Sequence, residues 1–196
     1  MDFDEVVRGR RMCRDFAERP VPAEVVEGLL DRARRAPSAG NTQGWSFLVL
    51  SEPEDRERFW AQAADPQWLA APSLPGLVRA PLVVVPWCSR AAYDRRYADP
   101  DKASEPPLEV AYWVVDVSFA VMLLLLGVVA EGLGSLFFRL RPGVPDRLRG
   151  AFGVPAEWEP LGAVAIGWPA GDRGPAGSAA SRPRRPLSEV VHRGRW

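Results

Sequence analysis

The stretch VAYWVVDVSFAVMLLLLGVVA, residues 110–130, decides what kind of protein this is. It is about as long and as apolar as a helix that crosses a bilayer. Yet Asp116 stands near its middle, where a carboxylate is costly in lipid, and no cluster of basic residues flanks it to set an orientation. The stretch therefore reads as a helix buried all round, at the centre of a large core or at an interface between two copies, and no membrane association is expected.

On its C-terminal side Gly132 and Gly134 break the helix, and the residues after them read as a strand. VPDRLRGAF then reads as a short helix and PLGAVAIGW (160–168) as an apolar strand. Upstream, PLVVVPW (81–87) is a continuous apolar run of the kind found in a central strand covered on both faces. SFLVLS (46–51) reads as another strand, and EDRERFWAQA (54–63) as a helix. Nearer the start, Val25, Val26, Leu29, Leu30 and Ala33 share one face of a helix that Pro22 opens and Pro37 closes. Asp2 and Glu5 stand at capping-box spacing before a first short helix. The expected fold is α+β: helices around a mostly antiparallel or mixed sheet, in one domain over residues 1–196.

Two segments fall outside this pattern. Residues 88–108 show no period and much charge and proline, which is long for a connection and fits a lid loop. Within it Tyr93, Arg95, Arg96 and Tyr97, with Trp68 upstream, are candidates to stack on or pair with a substrate; an ordinary surface loop is the alternative. Residues 169–196 read as an extended arm, rich in Gly, Ala, Ser and Pro and then in arginine.

Composition narrows the chemistry. Lys plus Arg and Asp plus Glu both number 25, so no net field argues for nucleic acid or an anionic surface, and the arginine-rich tail lacks interleaved aromatics. Lys102 is the only lysine, which reads as the codon bias of a GC-rich bacterial genome. The two cysteines, Cys13 and Cys88, have no ligand spacing, so neither a metal nor a disulfide framework is expected, and a reduced cytoplasmic setting is the default. The single histidine, His192, lies near the C-terminus and no GxSxG elbow occurs, so hydrolase machinery is missing. Gly132-Leu133-Gly134 is not a dinucleotide fingerprint: Phe137 takes the place of the third glycine, and the order is helix then strand. A chain without its own general base more plausibly takes its chemistry from a cofactor. Arginine gathers at two remote places, Arg8, Arg10, Arg11 and Arg14 near the start and Arg182, Arg184 and Arg185 near the end. These are either forks that converge on a phosphate or two solvated basic patches.

In order along the chain, RRMCRDF (10–16), APSAGNTQGW (36–45), GLGSLFFRL (132–140) and RPRRPLSEVVH (182–192) resemble the motifs of the nitroreductase family. That resemblance implies a three-layer sandwich in an intertwined homodimer, with FMN bound at the interface and NAD(P)H as electron donor. It places Arg10 at the flavin phosphate or ribityl chain, Arg11 and Met12 along that chain and Arg14 near the pyrimidine edge. A serine is usual in the family where this chain has Met12. Pro37, Ser38, Ala39, Asn41 and Gln43 would come from the second subunit, in a loop whose small residues let backbone approach a flat ligand. Gly44 stands where the family commonly has proline, and Trp45 reads as core. Backbone near Phe138, Arg139 and Leu140 would face flavin N5, and Arg182 and Arg184 would reach the phosphate. The implied reaction passes hydride from NAD(P)H through the flavin to a small electron-poor acceptor such as a nitroaromatic or a quinone. Two alternatives stay open: a deazaflavin in place of FMN, and a protein that binds flavin without turning over.

Overall fold

The computed structural model describes residues 1–64, 76–102, 104–106, 108–171 and 182–196. In chain order the elements are α1 (Phe3–Gly9), α2 (Ala23–Ala33), β1 (Trp45–Leu50), α3 (Pro53–Ala63), β2 (Leu82–Cys88), α4 (Arg90–Tyr97), α5 (Tyr112–Ala130), β3 (Gly134–Phe138), α6 (Val144–Phe152), β4 (Glu159–Pro160) and β5 (Ala163–Gly167). The sheet runs β1-β2-β5-β3, with the two-residue β4 also on β2, and every pairing between these strands is antiparallel.

Period-two alternation divides the core into two layers. On one face Leu82, Val84, Val164 and Ile166 meet Val26, Leu29 and Ala33 of α2 and Val121, Leu124, Leu125 and Val128 of α5. On the other, Val83, Val85, Trp87, Ala163 and Ala165 meet Phe59 and Trp60 of α3 and Val144 and Leu148 of α6. β2 is buried at all seven positions, as its unbroken apolar run requires. Helices thus cover both faces, giving the expected α+β three-layer sandwich.

The apolar helix α5 lies against α2 and the sheet rather than standing alone. Its mean hydropathy of 2.4 matches a bilayer span, but Asp116, Val117, Ala120, Val121, Leu124, Leu125, Gly127 and Val128 are buried inside the protein. One expectation changes here: the helix is not buried all round in a single chain. Val114, Phe119 and Met122 are 37%, 48% and 47% exposed and form an apolar stripe on the side away from the sheet.

A second change concerns residues 88–108, whose first half is helix α4 instead of irregular loop. Ser89 caps it, its side chain accepting from the Ala92 N–H at 3.3 Å. Only Tyr93 of its residues is buried, so the helix has no apolar stripe for a periodicity reading to find. Residues 182–196 are exposed at every position, with one short 3-10 turn at Leu187–Glu189.

Candidate functional site

The arginine-rich segment after α1 is stitched to the sheet by its backbone. The Cys13 N–H donates to the Ser135 carbonyl at 2.8 Å, and the Ala17 N–H to the Trp168 carbonyl at 2.9 Å. Buried Asp15 anchors it further through an ion pair with Arg79 at 2.5 Å. Gly134 makes this approach feasible, because a Cβ there would lie 2.7 Å from that of Cys13. The Cys13 thiol is pushed up from its ordinary range, mainly by burial, so it is a weak nucleophile.

The expected arginine group is divided between two neighbouring clefts. One, of about 250 Å³, is lined by Arg11, Met12, Cys13 and Arg14 together with Leu133 and Gly134. The other, of about 520 Å³, is lined by Val7, Arg8, Arg10, Met122, Leu126 and Arg184. Arg10 and Arg184, from opposite ends of the chain, therefore share one cleft whose lining has no carboxylate. Neither has an ion-pair partner among the described residues, whereas Arg8 pairs with Asp4 at 3.0 Å and Arg185 with Glu189 at 3.3 Å. Arg182 is exposed and outside that lining.

The loop after α2 is organised in a different way. Gly40, Asn41 and Gln43 have φ of 60°, 52° and 51°, and the two non-glycine residues cost of order 1 kcal/mol or more each. Side chains inside the loop hold part of this shape. Ser38 Oγ accepts from the Gln43 N–H at 2.9 Å, Thr42 Oγ1 donates to the Ala39 carbonyl at 2.6 Å, and Gln43 Nε2 donates to Asn41 Oδ1 at 3.1 Å. The rest comes from outside. Asp116 of α5 accepts the Ala39 N–H at 2.8 Å, and Arg96 of α4 donates from Nε to the Gly40 carbonyl at 2.9 Å. Among the described residues these bonds leave the Ser38 hydroxyl proton and the Asn41 amide protons uncommitted, donors suited to the carbonyls and ring nitrogens of a flat ligand.

Of the aromatic substrate candidates, Tyr93 is corrected. It is 1% exposed and its hydroxyl donates to Asp116 at 2.7 Å, so its ring cannot stack on a substrate. Burial first, then the neighbouring Asp116 carboxylate, push its phenol well above the ordinary value, which keeps it a neutral donor. Tyr97 is half-buried, its ring edge beside Gly40, and Arg96 is bonded to the loop as described. Trp68 lies outside the described residues. Phe138 is turned into the core, stacked on Trp60 at 5.7 Å, and it closes the β3 ladder opposite Ala163. Arg139, exposed, and Leu140, half-buried, follow beyond the sheet. Pro37 leads into the loop and is exposed.

A family model described as the nitroreductase family matches residues 7–168. The chain belongs to the nitroreductase family. It is 32% identical over 180 residues to the 5,6-dimethylbenzimidazole synthase of Rhodospirillum rubrum, covering 85% of this chain and 82% of that one. It is 28% identical over 183 residues to a protein of Methanothermobacter thermautotrophicus provisionally named NADH dehydrogenase/NAD(P)H nitroreductase, covering 89% of this chain and 81% of that one. The fold matches that of a provisionally assigned nitroreductase from Exiguobacterium sibiricum solved in complex with FMN, with a TM-score of 0.76, 20% identity and coverage of 98% of this chain and 97% of that one.

Membership of the nitroreductase family sets the two clusters in context, and it shows what the sequence reading missed. Asp116 appeared only as an obstacle to a membrane span; its isolation among apolar residues was the signal of a buried contact, but not of its partner. Gly44 is explained by Tyr93: a Cβ at position 44 would lie 2.4 Å from Tyr93 Cε2. The family's usual proline has no room there, and the departure at Gly44 belongs with the tyrosine.

Proposed function

We propose that this nitroreductase-family protein is an FMN-dependent NAD(P)H oxidoreductase that works as a homodimer and reduces a small electron-poor acceptor, of the nitroaromatic or quinone class. The observation that carries the reading is the convergence of Arg10 and Arg184, neither with an ion-pair partner among the described residues, on one cleft whose described lining has no carboxylate. Two guanidinium groups lining one cleft favour an anion there, and a phosphate monoester fits such a fork.

Bound FMN would supply the redox chemistry, receiving hydride at N5 and giving it up to the acceptor. The chain's own residues bind and orient. Arg10 and Arg184, with Arg182 from the same arm, hold the phosphate, and Arg11 and Met12 lie along the ribityl chain. Arg14 sets a positive charge toward the pyrimidine edge, where a partly dry setting strengthens it: unit charges about 4 Å apart interact by roughly 4 kcal/mol at an effective dielectric near 20. Ser38 and Asn41 donate from the loop, with Pro37, Ala39 and Gln43 shaping it, and the backbone at Phe138, Arg139 and Leu140 borders the reacting face. Tyr97 sits beside the loop as a candidate contact for the acceptor.

What supports a homodimer is where these groups sit. Asp116, which holds the loop, and Leu126, which lines the arginine cleft, are about ten residues and so about 15 Å apart along α5. Along this helix runs the apolar stripe of Val114, Phe119 and Met122, with exposed Phe3 and Val7 on α1. The arm adds Leu187, Val190 and Val191, also exposed. A second copy packed on this stripe would cover it and bring one chain's loop toward the other's arginines.

The test is direct. The purified protein should carry a yellow chromophore whose mass is that of FMN, and should oxidise NAD(P)H when a quinone or nitroaromatic is supplied. A deazaflavin mass replaces FMN by the alternative cofactor, and bound flavin without turnover reduces the reading to a binding protein. Formation of 5,6-dimethylbenzimidazole in place of acceptor reduction would move the chain to the activity for which its R. rubrum relative is named. Sedimentation should give a dimer at micromolar concentration, and a stable monomer there would remove the two-chain site.

A further inference from the structure

We infer that Tyr93, Arg96 and Asp116 form a positioning unit that fixes the shape of the 38–43 loop, and through it the fit of the cofactor; the cofactor part rests on the flavin reading above.

Four contacts from two helices reach three residues of the loop and its exit, Ala39, Gly40 and Gly44. Asp116 Oδ2 takes the Ala39 N–H, and Arg96 Nε takes the Gly40 carbonyl. The Tyr93 ring packs under Gly44, and the Tyr97 ring edge lies 3.3 Å from where a Gly40 Cβ would stand. Between these points the backbone passes through three left-handed conformations, two of them at non-glycine residues. A surface loop with that backbone relaxes unless its surroundings over-determine it. Here they do, and from elements distant in sequence.

Tyr93 and Asp116 act as one device. Both the Tyr93 hydroxyl and the Ala39 amide donate to the same oxygen, Oδ2, so the phenol fixes the carboxylate orientation that the loop amide needs. The aspartate is 3% exposed and the tyrosine 1%, so neither can touch a ligand and neither is a catalytic residue. Arg96 is held in turn by Asp101, at 2.7 Å from both Nη1 and Nη2, which leaves Nε aimed at the loop. Asp116 also stands on α5, the helix that carries the exposed apolar stripe. A second copy settling on that stripe would bear on the same rigid element that pins the loop.

The experiment compares wild type with Tyr93→Phe, Arg96→Gln, Asp116→Asn and the Tyr93→Phe/Asp116→Asn pair. The readouts are amide hydrogen exchange of residues 38–43 in flavin-free protein, FMN affinity, visible circular dichroism of bound FMN, and melting temperature. Tyr93→Phe keeps the ring under Gly44 and should melt close to wild type. Its Ala39 amide should exchange several-fold faster, FMN should bind about three- to tenfold more weakly, and the flavin dichroism should change, as expected for loss of one buried hydrogen bond. Arg96→Gln should act in the same direction. Asp116→Asn, which keeps an acceptor oxygen, should act in the same direction, and the paired variant should fall short of the sum of its members. Unchanged loop exchange and unchanged dichroism in both Tyr93→Phe and Arg96→Gln, with FMN bound to wild type, overturn the unit while leaving the flavin reading intact. Affinity losses that only track melting temperature overturn it as well, since they mark a purely structural role. Wild-type protein that binds neither FMN nor a deazaflavin overturns the flavin reading, and with it the cofactor part of this inference, while the exchange data still decide whether the unit shapes the loop.

Discussion

The loop at 37–44 and the arginine cleft at Arg10 and Arg184 are built on opposite principles. Every turn of the loop is tied down within one chain, by Asp116 and Arg96 from outside and by Ser38, Thr42 and Gln43 from within. Arg10 and Arg184 line one cleft without an ion-pair partner among the described residues, and Arg184 comes from an arm exposed at every described position. One region is shaped before any ligand arrives, so binding there loses little conformational freedom. The other stores charge that only an anion can satisfy, so its affinity should depend on phosphate, on salt and on the arm being present.

The largest effect should come from removing the arm. Deleting residues 182–196 takes away up to two charge-assisted contacts, each worth roughly 1.5 to 3 kcal/mol when well formed. FMN affinity should fall at least about tenfold, since about 1.4 kcal/mol already gives that factor. Riboflavin, which has no phosphate, should bind the full and shortened chains about equally. A folded, shortened protein that keeps its full preference for FMN over riboflavin would place the arm outside the site and leave Arg10 alone in the cleft.

The next effect belongs to the preformed loop. Gly44→Ala sets a methyl group 2.4 Å from the Tyr93 ring, whose position is fixed by burial and by Asp116. Overpacking of this kind costs about 1 to 3 kcal/mol, so the melting temperature should drop by several degrees. Tyr93→Phe should not relieve it, because the ring is the obstacle, whereas the Gly44→Ala/Tyr93→Ala pair should be less destabilised than the sum of its members. A Gly44→Ala protein as stable as wild type would mean that the tyrosine moves freely and the loop is less rigid than its contacts require.

These differences also explain what could be read from the sequence. Apolar alternation is a local signal: the run at 81–87 places β2 within one residue, and the run at 160–168 contains β5, which begins three residues later than the run. The capping box at Asp2 and Glu5 is local too, and both of its bonds form at 2.8 Å. Helix α4 escaped because RAAYDRRY buries one side chain only and its remaining faces are solvated. The role of Asp116 escaped for another reason: its partners, Tyr93 and the Ala39 amide, are remote in sequence and meet it only once α4 and α5 pack. Arginine positions at the two ends were legible through the resemblance. The separation of Arg184 in the cleft from Arg185, spent on Glu189, needed coordinates.

Salt should separate the two regions by a smaller margin. Raising the ionic strength from about 0.05 to 0.5 M shortens the Debye length from above 10 Å to a few ångströms, which weakens exposed charge pairs but hardly touches buried hydrogen bonds. FMN binding should weaken several-fold over that range, riboflavin binding should stay within experimental scatter, and exchange of the Ala39 amide should not change. Equal salt dependence for FMN and riboflavin would mean that the arginines do not see the phosphate.

The smallest effect tests the outer edge of the preformed region, where Asp101 braces Arg96. Hydrogen bonding to Arg96 is the first cause holding the Asp101 carboxyl below its ordinary value of 3.8. A carboxyl depressed in the folded state contributes stability above its unfolded value and loses it as pH falls through the folded one, so nothing should happen to this pair between pH 7 and pH 5. The pair is exposed, and exposed ion pairs contribute little. Asp101→Asn at neutral pH should therefore change FMN affinity less than about twofold, because Arg96 stays charged and keeps its Nε bond to the Gly40 carbonyl. Arg96→Gln, which removes that bond, should do more. If the two variants proved equally damaging, the loop would owe its shape to a surface ion pair, would respond to salt as the arginine cleft does, and the contrast between a preformed half and a ligand-dependent half would fail at this point.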